Sequence, residues 1–272
     1  MDALFTNAKA IVGMIHVGAL PGAPRQQAPL GAVVERAVAE TRLFARFGLD
    51  GLILENMHDV PYLRGAVGPE ITAAMTAVGV AVRAEFRGAV GVQVLAAANR
   101  EALAVALACG AQFIRVENFA YAHVADEGLM SEAAAGPLLR YRRRIGAEHV
   151  RVIADVKKKH AAHALTADVP LAEAAAAAEF CGADGIVVTG AATGRPVDVQ
   201  ELRAAREATS LPVWIGSGVV EAALPALWPH ADAWVVGSAL KQDGTWSNEV
   251  DPRRVERLMR AVESLRMGAP SP

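Results

Sequence analysis

The sequence has only two cysteines, Cys109 and Cys181, in 272 residues. Two cysteines cannot build a disulfide scaffold or a cysteine-based zinc finger, so both kinds of small stapled fold are excluded. Neither sign of charge dominates, since 27 Lys and Arg stand against 29 Asp and Glu and the net charge is -2. That balance argues against a protein built mainly to hold nucleic acid or acidic lipid.

Long apolar runs are also missing. No stretch reaches the roughly 18 uninterrupted apolar residues that a membrane-spanning helix requires, and the first ten residues lack the basic start and apolar core of a signal peptide. We therefore expect a cytoplasmic protein with no integral membrane contact. Hydrophobic residues still make up 53% of the chain. We attribute this excess to alanine-rich helices and to a subunit interface, which predicts a homo-oligomer.

Eight short apolar runs alternate along the chain with longer segments rich in Ala, Glu and Arg. The runs favour β-branched residues, as buried strands do. In the longer segments, Pro69 suits the first turn of a helix and Gly110 a carboxyl cap, while Asp168, Asp198 and Asp251 suit amino caps. The predicted strands cover residues 10–17, 51–56, 88–95, 113–118, 150–156, 185–190, 212–218 and 233–239.

Eight strand–helix units of roughly 34 residues each match a (β/α)8 barrel, which typically has about 250 residues. A doubly wound open sheet is the alternative, but no G-x-G-x-x-G follows the first run. No linker divides the chain, so we predict an α/β protein with a single (β/α)8 TIM barrel over residues 1–272. Its two longest connections, 18–31 and 119–136, leave carboxyl ends of strands, where barrel active sites lie.

Polar residues collect at the carboxyl ends of the predicted strands. Barrel strands are buried on both faces, so such residues require an explanation. Side chains two residues apart share a face, so Arg115 should point with Glu117, and Asp155 with Lys157. We predict that this polar set points into the mouth of the barrel, although either pair is also explained as a structural ion pair.

Asp155 is the foremost candidate for acid/base catalysis, because a carboxylate beside lysines has a shifted pKa. The predicted catalytic residues are Asp155, Glu55 and Glu117, which exchange protons, and His16, Lys159 and His160, which orient or polarise oxygen atoms. The predicted substrate-binding residues are Asn56, Gln93, Arg115, Lys157, Thr189 and Arg195. For Gln93 the alternative is a buried side chain whose hydrogen bonds are satisfied inside the protein. His16, Glu55, Asp155 and His160 are metal-binding residue types, but no H-x-H or H-E-x-x-H spacing supports a site. We predict no metal and no cofactor.

The last two predicted strands end in glycine–serine turns. Glycine lets the backbone approach a ligand, and barrels often bind phosphate with the loops after strands seven and eight. Two tight turns without a ligand are the alternative. We predict a small phosphorylated ligand, with Arg195 as a source of positive charge. The predicted phosphate-binding residues are Gly216, Ser217, Gly218, Gly237 and Ser238.

Several segments together resemble the BtpA/SgcQ family. In chain order they are AIVGMIHVGALPGAPR, LILENMHDVPY, IRVENFAYAHVADEGL, VIADVKKKHA, TGAATGRPVD, VWIGSGV and VVGSALKQDGTWSNEVDPRRV, and they span about residues 9 to 260. The resemblance implies a barrel of the ribulose-phosphate-binding kind. It also implies one of two roles: photosystem I biogenesis, or an enzyme of sugar-utilisation gene clusters. Its matching segments contain His16, Glu55, Asn56, Asp59, Asp126, Gly128, Asp155, Lys159 and His160, whereas Glu117 and Lys157 depart from the family pattern.

Two hypotheses follow. The first is an isomerase, lyase or N-glycosidic hydrolase that acts on a small phosphorylated sugar or nucleotide-like substrate. The second is a non-catalytic assembly or regulatory factor of the photosystem type. The polar mouth favours the first, whereas the fold alone cannot decide between them.

Overall fold

The computed structural model describes residues 4–158, 160–190 and 197–268. Within these residues, eight parallel strands pair in chain order and the first also pairs with the last, so the sheet closes into a barrel. The predicted TIM barrel is confirmed and the open sheet is excluded. The strands are β1 (Ala10–His16), β2 (Gly51–Glu55), β3 (Ala89–Gln93), β4 (Phe113–Val116), β5 (Arg151–Val156), β6 (Gly185–Val188), β7 (Val213–Ile215) and β8 (Ala233–Val236).

Helices follow the strands and cover the outside of the barrel. As predicted, Pro69 opens a helix and Gly110 caps the next one in the left-handed conformation, with a φ of 72°. None of the described helices combines the length and apolarity needed to cross a membrane. The α-helices of the described residues are α1 (Leu30–Arg46), α2 (Pro69–Glu85), α3 (Asn99–Cys109), α4 (Ala135–Arg144), α5 (Leu171–Phe180), α6 (Val199–Glu207), α7 (Leu224–Leu227) and α8 (Pro252–Arg266).

Two of the three predicted aspartate caps are present. The side chains of Asp198 and Asp251 accept hydrogen bonds from backbone N–H groups in the first turns of α6 and α8. The prediction for Asp168 is wrong, because α5 begins at Leu171 and Pro170 occupies its amino cap. A cap at Asp168 would place Val169 in the first helical turn, but a residue that precedes proline is disfavoured in the helical region.

The two faces of the barrel strands pack differently. Outward side chains join the helices in one large apolar layer, and inward side chains form a smaller cluster inside the barrel. In that cluster the ring centroids of Phe113 and Trp214 lie 5.2 Å apart, and Phe5 packs on Trp214 at 5.3 Å. Gly91 makes room for this aromatic plug, since a Cβ there would lie 2.1 Å from the Phe113 ring.

The long connection after β4 is not an irregular loop. Residues His123–Ala125 and Gly128–Met130 form a hairpin, and Ala161–Ala162, from the connection after β5, adds a third antiparallel strand. We call this three-stranded unit the lip sheet. Val124 and Leu129 are cross-strand partners on its exposed face, whereas His123 and Met130 on the other face are buried.

Replacement of Trp214 by alanine is expected to lower the free energy of unfolding by about 3–5 kcal/mol, because it opens a cavity in the aromatic plug. Phe180 is 93% exposed, so Phe180→Ala is the matched control and should change stability by less than about 0.5 kcal/mol. Denaturant unfolding followed by circular dichroism measures both. Equal stability of the two variants would contradict the plug.

Candidate active site

The register of the first three strands brings three polar side chains to one level at the carboxyl end of the barrel. His16 is paired with Glu55, and Glu55 with Gln93. His16 and Glu55 lie two residues after Met14 and Ile53, whose side chains point into the barrel. Side chains two apart share a face of the strand, so these polar side chains also face the interior. All three line a cavity of about 530 Å³, a volume typical of small-molecule sites. The structure therefore gathers these predicted residues around one space.

A buried ion pair between Arg115 and Asp155 borders this cavity. The guanidinium Nε lies 3.1 and 3.2 Å from the two carboxylate oxygens, and Nη2 lies 2.9 Å from Oδ1. The side chains are only 8% and 1% exposed. Burial raises the pKa of the Asp155 carboxyl, and the Arg115 guanidinium opposes that shift. The pair joins the neighbouring strands β4 and β5, whereas the alternative considered from the sequence was an ion pair within either strand.

A second ion pair lies beside the first. Lys158 Nζ is 2.8 Å from Oε1 of Glu117, whose other oxygen accepts the backbone N–H of Ala97 at 2.9 Å. Burial alone lowers the pKa of Lys158, but the charge and hydrogen bond of Glu117, together with more distant carboxylates, raise it above its ordinary value. Lys158 is therefore a fixed cation of the cavity wall.

Lys157 does not share the face of Asp155. Strand β5 ends at Val156, and Lys157 adopts a φ of 48°, which breaks the two-residue alternation. Its ammonium group donates to the carbonyl of Thr166 at 3.3 Å, away from the central cavity. The predicted position of Lys157 in the mouth is wrong, and Lys158 occupies that place instead.

A backbone carbonyl orients His16. Its Nδ1 lies 2.9 Å from the carbonyl oxygen of Trp246, in the segment after β8. A carbonyl only accepts hydrogen bonds, so Nδ1 carries the hydrogen and, in the neutral ring, Nε2 is the basic nitrogen. Nε2 lies beside Gly237, where an added Cβ would approach it to 3.2 Å. This basic nitrogen therefore lies next to the turn after β8.

Two buried polar atoms of the cavity wall have no hydrogen-bond partner among the described residues. They are Oε1 of Gln93 and Oγ of Ser217, and these residues are only 2% and 8% exposed. An unsatisfied buried polar group costs about 1–3 kcal/mol. Both atoms would be satisfied by a polar ligand in the cavity.

The glycines of the β7 and β8 turns serve different needs. A Cβ at Gly216 would lie 2.4 Å from Val187 and 3.0 Å from Nη2 of Arg115, so this glycine leaves room for the buried guanidinium. Gly218 has a φ of 70°, which favours glycine. Arg254 of α8 reaches the same turns. Its Nη1 lies 3.4 Å from the carbonyl oxygen of Ala239.

The other predicted residues divide into three groups. Asn56 lies outside the cavity lining, because its amide bonds to Asp59 and to the backbone N–H of Leu95. Thr189 is buried just after β6, also outside that lining. Lys159 and Arg195 lie outside the described residues. Those that line the cavity are His16, Glu55, Gln93, Arg115, Glu117, Asp155, His160, Gly216, Ser217, Gly218, Gly237 and Ser238.

Sequence reasoning missed several cavity residues. Tyr62 and Trp246 come from connections, and Glu127 lies in the turn of the lip sheet beside Asp126, which the family resemblance had included. Burial raises the pKa of Tyr62, and Glu55 and Glu127 raise it further, so this side of the cavity is electronegative. The only available signal was the length of the connection after β4. The sequence patterns also did not indicate Lys158, Arg254 or Met57, which line the cavity.

The described residues contain no group of three or more His, Cys, Asp and Glu side chains placed to hold a metal ion. The groups that the structure places in the described part of the cavity include an oriented imidazole, carboxylates, two ion pairs and glycine–serine turns. This arrangement supports proton transfer beside a polar or anionic ligand.

The fold and this mouth define a (β/α)8 barrel with a polar cavity at the carboxyl ends of its strands. The model of the BtpA family matches residues 7–264, so the chain belongs to that family. It is 42% identical over 261 residues to an uncharacterized mitochondrial protein of Caenorhabditis elegans, covering 94% of each chain. It is also 36% identical over 259 residues to the photosystem I biogenesis protein BtpA of Synechocystis, covering 95% of this chain and 89% of that one.

Solved structures share the fold at much lower identity. Orotidine 5'-monophosphate decarboxylase of Methanocaldococcus jannaschii matches with a TM-score of 0.61 at 12% identity, covering 94% of this chain and 99% of that one. Thiamine phosphate pyrophosphorylase of Pyrococcus furiosus matches with a TM-score of 0.57 at 16% identity, covering 95% and 96%. At these identities the likeness shows the fold alone.

Asp155→Asn should lower the free energy of unfolding by about 3–5 kcal/mol, because it leaves the buried Arg115 guanidinium without its counter-charge. The matched control is Glu207→Gln, which removes the carboxylate of an exposed pair with Arg203 and should cost less than about 1 kcal/mol. Urea unfolding at neutral pH compares them. Similar losses in both variants would contradict a buried, charged Asp155–Arg115 pair.

Stability should fall as the pH drops from about 6.5 to about 4. Burial, the main cause, lowers the pKa of His123 to about 4, as it does for His58. The unfolded chain binds protons in this window and the folded chain does not, so acid favours unfolding. Unfolding free energies measured across the window should vary less steeply for His123→Asn than for the wild type, whereas the exposed control His149→Asn should keep the wild-type slope. Equal slopes in all three proteins would refute the prediction.

Proposed function

We propose that the chain is an enzyme that performs acid/base chemistry on a small phosphorylated sugar or nucleotide-like substrate at the barrel mouth. The observation that carries the proposal is the pair of partnerless buried atoms, Gln93 Oε1 and Ser217 Oγ, in the walls of one 530 Å³ cavity. Buried polar groups in native proteins are nearly always paired, and of the unpaired buried atoms among the described residues these two belong to the lining of the cavity, where a polar ligand would satisfy them.

The phosphate end of the substrate would lie against the β7 and β8 turns. Ser217 offers its hydroxyl there, and the turns at Gly218 and Gly237 let the backbone come close to a ligand. Arg254 supplies positive charge. Its nearest carboxylate, Asp251, is 3.7 Å away and its side chain is 32% exposed, so it is only loosely held. These contacts are independent of Arg195, the cation expected from the sequence.

The proton-transferring group would be His16 rather than Asp155. Asp155 is committed to Arg115 through both of its oxygens, whereas His16 has an assigned basic nitrogen beside the proposed phosphate turn. Glu55 lies next to His16 in the strand register and serves as the partner acid or as the group that orients a substrate hydroxyl. Isomerisation, lyase chemistry and N-glycosidic hydrolysis all require such a proton transfer.

The test begins with native mass spectrometry and thermal shifts against sugar phosphates and nucleoside monophosphates, each compared with its dephosphorylated form. A phosphorylated compound should bind and the dephosphorylated form should bind less well. Ser217→Ala and Arg254→Met should remove that preference. If no phosphorylated compound stabilises the protein, the proposal fails.

His16→Asn should then retain binding of that ligand and lose about 10²–10⁴-fold in turnover. The asparagine amide can still donate to the Trp246 carbonyl, but the basic nitrogen is gone. The exposed control His149→Asn should keep wild-type turnover, measured as ligand conversion by mass spectrometry. Unchanged turnover in His16→Asn would rule out His16 as the base.

A non-catalytic assembly role is the second candidate. It is favoured by the apolar side chains exposed on and near the lip sheet, Val124, Leu129, Leu63 and Leu165, together with the biogenesis role named for the Synechocystis relative. A cellular phenotype lost in Val124→Glu/Leu129→Glu but kept in His16→Asn would favour assembly, and the reverse pattern would favour catalysis.

A further inference from the structure

A buried ion pair outside the cavity joins α1 to the segment that follows β8. Lys241 Nζ lies 2.8 Å from both carboxylate oxygens of Glu40, and Lys241 is 0% exposed. Neither residue lines the mouth. Arg36 approaches the same carboxylate at 3.7 Å. The barrel chemistry proposed above makes no direct use of these charges, so their burial requires another explanation.

Lys241 stands at the neck of the loop that carries Trp246. It forms an antiparallel bridge with Val250, and the neighbouring Gln242 N–H donates to the carbonyl of Glu249 at 2.9 Å. Residues 241–250 therefore form a loop closed at its base, which we call the β8 loop. Anchoring its neck fixes where its tip lies.

The tip of the β8 loop reaches the mouth. The Trp246 carbonyl accepts the Nδ1 hydrogen of His16, and the Trp246 ring contacts two histidines, with centroids 6.2 Å from His16 and 4.8 Å from His58. A continuous series of contacts thus runs from Glu40 through Lys241 and the β8 loop to the imidazole.

We infer that the Glu40–Lys241 pair positions His16: it anchors the β8 loop so that the Trp246 carbonyl holds the ring as the Nδ1–H tautomer. This inference rests on the proposed function only for the catalytic importance of His16. An apolar pair would serve stability as well, since buried ion pairs seldom exceed hydrophobic replacements in stability. A buried ion pair instead penalises every other loop position, because a displaced Lys241 would leave Glu40 buried without its counter-charge.

The tautomer of His16 can be measured without any substrate. In protein labelled with ¹⁵N at histidine, the ring nitrogen shifts distinguish a protonated Nδ1 from a protonated Nε2, and His16→Asn identifies the His16 signals among the seven histidines. The wild type should show Nδ1–H. In Lys241→Met, the ratio of Nδ1–H to Nε2–H should fall by about fivefold or more, as expected when one hydrogen bond is lost.

A second variant guards against simple unfolding. Glu40→Leu/Lys241→Met replaces the whole pair with apolar side chains and should remain folded, yet it should also lose the tautomer preference. The control Glu207→Gln should keep it. A wild-type ring that is protonated on Nε2, or a folded double variant that retains Nδ1–H, would overturn the inference.

Activity separates this inference from the proposed function. If the tautomer shifts as expected but His16→Asn still turns over substrate, the positioning stands and the catalytic role of His16 falls. If His16→Asn is inactive while the folded double variant keeps both Nδ1–H and wild-type turnover, the catalytic role stands and the positioning falls.

Discussion

The Arg115–Asp155 ion pair is the constraint around which the mouth is organised. A guanidinium buried inside a barrel must have its charge matched and its volume accommodated. Asp155 on the neighbouring strand matches the charge, and Gly216 leaves space for the guanidinium, since a Cβ there would lie only 3.0 Å from Nη2 of Arg115. With both oxygens of Asp155 engaged, the proposed proton transfer would fall to another group, His16. Glu117 is held in a similar way, because Lys158 and the backbone N–H of Ala97 bind its two carboxylate oxygens.

The interior of the barrel is therefore divided along its axis. At the amino end, the rings of Phe5, Phe113 and Trp214 pack together inside the barrel. At the carboxyl end, the same inward parity carries charged and hydrogen-bonding groups. The packed amino end supports the polar carboxyl end, because a buried charge requires a scaffold that holds its partner rigidly.

Much of this arrangement could be predicted from the sequence because it depends on local periods. The alternation of strands and helices indicates the barrel, and a spacing of two residues indicates which side chains face inward. Partners across strands could not be predicted in this way. Arg115 pairs with Asp155 because β4 and β5 are neighbours and their register aligns the two side chains. Local spacing in the sequence does not contain this alignment. The alternation also fails at Lys157, because its backbone is left-handed, and Lys158 lines the cavity in its place. Trp246 and Lys241 carry no local signal, since their importance comes from contacts with residues some 200 positions away.

The lip sheet has a consequence for how such a mouth can change. Its strands come from the connections after β4 and after β5, and they are held together by backbone hydrogen bonds. An insertion in either connection must therefore preserve the pairing or release both connections at once. In most (β/α)8 barrels each loop can vary separately, and diversity arises loop by loop. Here two adjacent strand ends form a single unit of variation, so a new specificity on this side of the barrel requires coordinated change in both.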